Sequence, residues 1–277
     1  MIDFDKIWVE KYRPAKLDDI ILDERTLNIV KEFKNEIPNL LFVGNPGTGK
    51  TTLARVIVND ILGCNYLYIN ASDESGIDTI RHNITNFAQT KSFDGGVKVV
   101  ILDEADGLTP QAQAALRNTM ETFAKYCRFI LTANYKHKII PALQSRCQAL
   151  DIKPVLELAV KRCYYILKNE NIKVSDEQKK KFVQLVKRFF PDLRKAINEI
   201  QKNVIDSELC IASINSDNEL LETVYKKIVS KKSLEARKYL IENEDRFQGD
   251  YDTLLANFLN YIYNTNLQDA PKKAFIA

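Results

Sequence analysis

The residues best suited to chemistry in this sequence lie between positions 44 and 51. They read Gly44-Asn45-Pro46-Gly47-Thr48-Gly49-Lys50-Thr51, which fits the pattern G-x-x-x-x-G-K-[ST]. The glycines let the backbone curl so that successive N–H groups point at phosphate oxygens, and a helix N-terminus adds partial positive charge. Lys50 is predicted to reach the β- and γ-phosphates and Thr51 to bind Mg²⁺. The stretch therefore predicts a nucleotide site.

A second chemical stretch, Asp103-Glu104-Ala105-Asp106, follows the apolar run Val99–Leu102. A carboxylate at the end of a buried strand is placed to hold the Mg²⁺ shell of such a site, so Asp103 is the predicted partner of Thr51. Glu104 is the candidate for polarising the attacking water. One class of RNA helicases carries the same four-residue motif, so this tetrad alone does not determine the type of enzyme.

Short apolar runs must supply the strands that position these residues. They are Leu40–Val43, Leu67–Ile69, Val97–Leu102, Phe129–Leu131 and Ala149–Ile152. Each run is apolar at both odd and even positions, as expected of parallel strands buried on both faces. Helical patterns lie between them at Thr51–Ile61, Ile77–Ala88 and Pro110–Phe123, the last opened by Thr109 as N-cap. The alternation predicts a three-layer α/β domain over residues 1–152.

Beyond residue 152 the strand signals stop. Phe182, Val183 and Val186 recur at helical spacing, and a further helical pattern begins after Pro191. We therefore predict a small all-helical domain over residues 153–214, with Tyr164 and Tyr165 in its core. A third helical domain is expected over residues 215–277.

Composition indicates an ordinary globular protein. Of 277 residues, 45% are hydrophobic and 28% charged, and the net charge of +3 is too small to indicate nucleic-acid binding by itself. No apolar run approaches the length of a membrane span, and the charged N-terminus lacks a signal-peptide core. A cytoplasmic protein is expected (in the host cytoplasm if viral). The five cysteines form no Cys-x-x-Cys pair, which argues against a zinc site.

Further motifs occur in a recognisable order along the chain. They are Trp8–Pro14 with Leu17–Ile20, Asn70–Asp73 with Gly76–Asp78, Gln113–Glu121, Leu131–Asn134, Ser145–Cys147 and Phe190–Ala196. Together with the loop and the tetrad they resemble the AAA+ ATPases, specifically sliding-clamp loaders of the replication factor C type. The resemblance covers nearly the whole chain. Thr85–Ala88, Ser92–Gly95 and the Phe-Pro-Asp run at 190–192 are similar to loaders of T-even-type bacteriophages, which favours the large subunit of a phage loader.

The resemblance implies an AAA+ P-loop domain at 1–152, a helical lid at 153–214 and a helical collar at 215–277 that looks incomplete. It implies ATP and Mg²⁺ as cofactors, with Thr51 and Asp103 on the metal. The residues implied in cofactor binding are Val9, Tyr12, Arg13, Ile20, Gly44, Asn45, Pro46, Gly47, Thr48, Gly49, Lys50, Thr51, Thr52, Asp103 and Arg194.

The same resemblance assigns catalytic roles beyond Lys50 and Glu104. Asn134 would help orient the attacking water. Arg146 would reach the γ-phosphate of a neighbouring subunit's ATP, an effect worth about 10³–10⁵-fold in arginine-finger systems. Arg194 would touch the phosphates bound by its own subunit and so couple ATP binding to domain closure.

The implied partners are copies of this chain with a non-identical loader subunit in a pentamer, a sliding clamp and primer–template DNA, and no membrane. The candidate DNA contacts are Ser75, Gly76, Arg81, Thr109, Gln111 and Arg117. Cellular loaders carry two adjacent arginines where this chain has Arg117-Asn118, which implies the absence of one phosphate contact or of one internal coupling. Two further hypotheses are that Asn70 pairs with Glu104 until DNA arrives, and that Phe93 touches the clamp or is buried.

The helicase alternative fails on two observations. A DEAD-box helicase should carry a Ser-Ala-Thr motif where this chain has Leu131-Thr132-Ala133-Asn134, and a second sheet domain where this chain predicts helices. Two alternatives stay open. One is another AAA+ DNA-directed motor, of the branch-migration type. The other is a non-catalytic nucleotide-binding scaffold subunit, against which the intact catalytic set argues.

Overall fold

The computed structural model of the chain describes residues 6–72, 77–89, 97–211, 215–244 and 251–264. The chain divides into two compact units, Met1–Cys210 and Ile211–Ala277. In the described residues, no helix is both long and apolar enough to cross a membrane.

The first unit contains a five-stranded parallel sheet. Its strands are β1 (Leu40–Val43), β2 (Tyr66–Asn70), β3 (Lys98–Asp103), β4 (Cys127–Ala133) and β5 (Gln148–Asp151). They lie in the order β2-β3-β4-β1-β5, and every neighbouring pair is parallel. The five predicted strands are therefore confirmed, each end falling within about two residues of its predicted position, the usual uncertainty of element ends.

Helices cover both faces of this sheet. The first part of the chain contributes α1 (Trp8–Lys11), α2 (Glu24–Glu32), α3 (Lys50–Val56, continued by a π-helical turn at Ile57–Ile61), α4 (Ile77–Gln89), α5 (Pro110–Thr122) and α6 (Pro141–Gln144). Successive residues of β1 enter different cores, because side chains alternate across a strand. Leu41 packs with Ile84 of α4, whereas Leu40 packs with Leu53 of α3. The three-layer α/β prediction is confirmed.

The rest of the first unit is mostly helical. It contains α7 (Leu156–Asn169), α8 (Asp176–Phe189) and α9 (Leu193–Lys202), followed by the antiparallel pair β6 (Val204–Ile205) and β7 (Glu208–Leu209). The all-helical expectation was wrong at this hairpin, because two-residue strands leave no periodic signal in the sequence.

The predicted core position of Tyr164 and Tyr165 was also wrong. Both side chains are exposed, at 44% and 49%, while Ile166 and Leu167 are buried. Successive residues of a helix are rotated by about 100°, so four in a row cannot all face one core. Tyr164 instead contacts the edge of Phe182, with ring centroids 6.2 Å apart.

The second unit contains α10 (Asn215–Val229), α11 (Ser233–Glu242) and α12 (Tyr251–Asn264). Its small core joins Leu220, Leu221 and Val224 of α10 to Ala236 of α11, with Phe258 of α12 packed against them. The helical character predicted for this region is confirmed. The predicted domain limits at 152 and 214 stay predictions, since the structure groups the first two predicted domains into one unit.

Candidate nucleotide site

The site lies where three parallel strands end. The glycine-rich loop follows β1, Asp103 ends β3, and Asn134 comes directly after β4. Strand β4 lies between β1 and β3, so the crossover from β1 leaves a crevice at the carboxyl edge of the sheet. Such a crevice is where open α/β sheets bind their ligands.

The loop closes around the ammonium group of Lys50. Gly47 and Gly49 adopt positive φ of +74° and +91°, which side chains rarely allow. Lys50 is 7% exposed, and its Nζ donates to Gly44 O at 2.8 Å, Asn45 O at 2.9 Å and Asn134 Oδ1 at 2.8 Å. Burial lowers the pKa of Lys50, and the nearby carboxylates oppose that shift. The ammonium group of Lys50 therefore links the loop to Asn134.

Thr51 and Asp103, the predicted metal residues, are in contact. Thr51 Oγ1 donates to Asp103 Oδ1 at 2.7 Å, and the carboxylate is only 7% exposed. A hydroxyl beside a carboxylate, with phosphate oxygens expected nearby, is the oxygen ligand set that Mg²⁺ prefers. The residues present therefore fit Mg²⁺. Asp103 also accepts from Thr132 Oγ1 at 2.6 Å and from Tyr68 Oη at 2.8 Å.

Glu104 is held by its backbone and by its side chain. Its φ of 55° is in the left-handed region, and its N–H donates to Thr132 Oγ1 at 3.0 Å. Ser72 Oγ donates to Glu104 Oε2 at 2.6 Å, while Asn70 Oδ1 accepts from Ser72 N at 3.2 Å. The structure thus connects Asn70 to Glu104 through Ser72, a residue to which the sequence analysis gave no role.

Asp106, the last letter of the tetrad, positions the residue after β4. Its Oδ2 accepts from Asn134 N at 3.1 Å and from Tyr135 N at 3.2 Å. This contact could not be predicted from the sequence, because Asp106 and Asn134 follow different strands. The backbone of Asn134 is therefore held by one carboxylate of the tetrad and its side chain by Lys50.

One cavity gathers most of the predicted cofactor-binding residues. Its predicted members are Val9, Tyr12, Arg13, Ile20, Pro46, Gly47, Thr48, Gly49, Lys50, Thr51, Thr52, Asp103 and Arg194, and the catalytic candidates Glu104 and Asn134 also line it. Gly44 and Asn45 line an adjoining cavity instead. The lining residues that were not predicted to bind the cofactor are Pro14, Asp19, Ile21, Thr132, Arg162, Cys163, Leu193 and Ile197.

The N-terminal segment reaches this cavity because polar contacts attach it to the helical part. Tyr12 Oη and Lys11 Nζ both donate to Glu170 Oε1 at 2.6 Å. Arg162 Nη1 lies 2.8 Å from Asp19 Oδ1. Burial and the hydrogen bond to Glu170 raise the pKa of Tyr12 to about 12.

Helix α9 begins directly on the glycine-rich loop. Leu193 N donates to Gly47 O at 3.1 Å, and Asp192 caps the helix by accepting from Lys195 N at 3.0 Å. Arg194 is therefore held in the first turn of α9. It is exposed and lines the cavity, and its charge contributes to the lowered pKa of Lys50.

Arg146 lies outside this cavity. Its side chain is 37% exposed and forms an ion pair with Glu121 at the end of α5. Its Nη1 also donates to Ala142 O at 3.1 Å. The structure therefore does not bring Arg146 to the nucleotide cavity of its own chain.

The candidate DNA contacts are described only in part. Thr109 and Gln111 are exposed at the start of α5, where Thr109 Oγ1 accepts from Ala112 N at 3.2 Å as the predicted N-cap. Arg117 Nη2 donates to Asn118 Oδ1 at 2.7 Å. Arg81 belongs to α4, but its side chain, like Ser75, Gly76 and Phe93, lies outside the described residues.

Comparisons with known proteins agree with this geometry. Residues 40–154 match the ATPase family associated with various cellular activities (AAA), and residues 153–209 match the sliding-clamp-loader large subunit, AAA+ ATPase lid domain. The replication factor C small subunit of Archaeoglobus fulgidus is 37% identical over 98% of this chain and 88% of its own length. Replication factor C subunit 3 of Blastobotrys adeninivorans is 38% identical over 91% of this chain and 73% of its own length.

Solved structures agree on the fold. A point mutant of Thermotoga maritima RuvB superposes with a TM-score of 0.56 at 17% identity, covering 84% of this chain and 74% of its own. The Thermotoga maritima RuvB Holliday junction branch migration motor gives 0.51 at 18% identity, covering 77% of this chain and 79% of its own. At these identities the likeness extends to the fold alone.

Proposed function

We propose roles in ATP hydrolysis for the residues of this site, from the premise that the chain belongs to the replication factor C small-subunit family of AAA+ clamp-loader ATPases. The chain is an ATP-hydrolysing subunit of a sliding-clamp loader. In the proposal, ATP binding and hydrolysis drive opening of a clamp and its loading on primer–template DNA. The observation that carries the proposal is the gathering of Lys50, Asp103 and Asn134 around one cavity.

The loop, the metal-binding residues and the catalytic residues of the cavity each have a proposed task. The loop and Lys50 hold the phosphates, and Thr51 and Asp103 hold Mg²⁺. Held by these two residues, Mg²⁺ would supply positive charge against the negative charge that develops on the phosphates. Glu104 accepts a proton from the attacking water, which Asn134 helps to orient.

The proposed catalytic site is completed by a second subunit. Because Arg146 lies outside the cavity of its own chain and is 37% exposed, we assign it to the γ-phosphate bound by a neighbour. Arg194, on α9, contacts the phosphates bound by its own subunit and couples ATP binding to domain closure. The proposed assembly is a pentamer of copies of this chain with a non-identical loader subunit.

The proposed DNA contacts lie within α4 and α5 or directly before them in the sequence. They comprise Ser75, Gly76, Arg81, Thr109, Gln111 and Arg117, which would track phosphates without reading bases. Phe93 is retained as a proposed clamp contact. A phage origin rests only on the sequence stretches named above, since the relatives compared are archaeal and eukaryotic.

The test is ATP hydrolysis by the chain with its partner subunit, adding clamp and primer–template DNA separately and together. We expect synergistic stimulation that Arg146→Ala abolishes while nucleotide affinity of the isolated chain is retained. Stimulation by junctions without any response to the clamp would instead indicate a motor of the branch-migration type. Nucleotide binding without turnover in the full assembly would indicate a scaffold subunit.

A further inference from the structure

We propose that Tyr68 is a positioning residue for Asp103, and that its hydroxyl fixes the carboxylate for binding the divalent cation. Neither the sequence motifs nor the comparisons assign this residue a role. Tyr68 lies on β2, and its Oη donates to Asp103 Oδ2 at 2.8 Å. The inference rests on the proposed function insofar as Asp103 is taken to be a metal ligand.

Three hydroxyl groups surround the Asp103 carboxylate. Thr51 and Thr132 both donate to Oδ1, at 2.7 and 2.6 Å, whereas Tyr68 is the donor to Oδ2. A hydroxyl that binds a cation uses a lone pair of its oxygen, so Thr51 can still donate its hydrogen to Oδ1. Oδ1 therefore has two hydroxyl donors, whereas Tyr68 donates to Oδ2.

The ring of Tyr68 is itself fixed by α3. The guanidinium carbon of Arg55 lies 4.5 Å from the ring centroid, within the range of a cation–π contact. Arg55 follows Thr51 by four residues, so both side chains project from the same face of α3. One helix therefore places a metal residue directly and supports its partner carboxylate through Tyr68.

Tyr68 does not line the nucleotide cavity, whereas Asp103 does. Its removal should therefore change the affinity for the cation without changing contacts to the nucleotide. Loss of a partner that orients a metal ligand commonly costs about 10–100-fold in metal affinity. Because Thr132 still holds the other oxygen, we expect the lower end of that range.

The experiment measures Mn²⁺ binding to the purified full chain in the presence of ADP, from the electron paramagnetic resonance signal of free Mn²⁺. Tyr68→Phe removes one hydroxyl and keeps the ring. Tyr66→Phe is the matched control, because Tyr66 lies two residues away on the same strand and packs in the same core. We expect Tyr68→Phe to weaken Mn²⁺ binding about tenfold and Tyr66→Phe to leave it unchanged, with metal-free ADP affinity equal in both.

Asp103→Asn separates this inference from the proposed function. If wild type and Asp103→Asn bind Mn²⁺ equally, the metal assignment itself fails. If Asp103→Asn loses binding but Tyr68→Phe matches Tyr66→Phe, only the role of Tyr68 is overturned. A Tyr68→Phe effect that persists in the Asp103→Asn background would also overturn it, because the effect would not act through that carboxylate. Arg55→Met provides a second variant that keeps the phenol, with a smaller loss in the same direction expected.

Discussion

At the scale of single residues, the hydrogen bond from Ser72 to Glu104 bears directly on when the site hydrolyses ATP. Ser72 Oγ lies 2.6 Å from Glu104 Oε2, which occupies a lone pair of the proposed base. Ser72→Ala should free the carboxylate and raise ATP hydrolysis in the absence of DNA. A hydrogen bond to a charged group is worth about 1.5–3 kcal/mol at most, and Glu104 is exposed, so we expect an increase of a few-fold.

The ratio of DNA-stimulated to basal hydrolysis is the quantity that checks this prediction. The ratio should fall in Ser72→Ala, because the substitution raises the basal rate but not the DNA-stimulated rate, in which Glu104 is already free of Ser72. Ser175→Ala is a suitable control, since that hydroxyl also takes part in a hydrogen bond, accepting from Gln178 N at 3.3 Å, but lies at the start of α8. An unchanged ratio in Ser72→Ala would show that this contact does not restrain Glu104.

The residues that sequence could predict are those whose chemistry is local. The glycine-rich loop and its lysine are contiguous. Thr109 predicts a helix start because threonine is a common N-cap residue and a proline follows it. Ser72, Tyr68 and Asp106 were missed because each acts on a partner about 30 residues away. No spacing rule along the chain connects them before the order of the strands is known.

At the scale of elements, helix α9 lies directly against the glycine-rich loop. A Cβ on Gly47 would clash with Asp192 Oδ1 and would lie 3.1 Å from Asp192 Cα. Gly47 is therefore required both by its positive φ and by the closeness of the helix. This second requirement could not be read from the loop motif alone.

Gly47→Ala should displace the start of α9 from the loop. We expect faster hydrogen exchange at the Leu193 amide, which donates to Gly47 O, and weaker ADP binding. Gly63→Ala controls for backbone strain, because Gly63 also has positive φ, at +55°, but has open space around its Cβ position. Both variants should lose roughly 1 kcal/mol of stability to strain. Equal exchange at Leu193 in the two variants would contradict the steric explanation.

At the scale of the whole molecule, each chain carries a nucleotide cavity at one place and Arg146 at another. This separation suits a heterologous assembly, in which different surfaces of successive subunits meet. From the sequence, this arrangement could be predicted only through the family resemblance. The spacing between Lys50 and Arg146 by itself does not say whether both serve the same cavity.

A subunit-mixing experiment can decide whether the site is shared between chains. A Lys50→Ala chain keeps its Arg146 but cannot hold phosphates, whereas an Arg146→Ala chain keeps an intact cavity. Either variant should be inactive when assembled alone with the partner subunit. In a random 1:1 mixture, about a quarter of the interfaces between copies should pair an intact cavity with an intact arginine, because a heterologous interface takes one surface from each chain.

Hydrolysis in that mixture should therefore recover to about a quarter of the wild-type rate, measured with clamp and DNA present. Mixing Arg146→Ala with the double variant Lys50→Ala/Arg146→Ala supplies the control, since no chain then contributes the arginine. Recovery in the first mixture and none in the second requires that Arg146 act on the nucleotide of another chain. If the Arg146→Ala assembly were fully active alone, Arg146 would instead serve only the local ion pair with Glu121 that the structure shows.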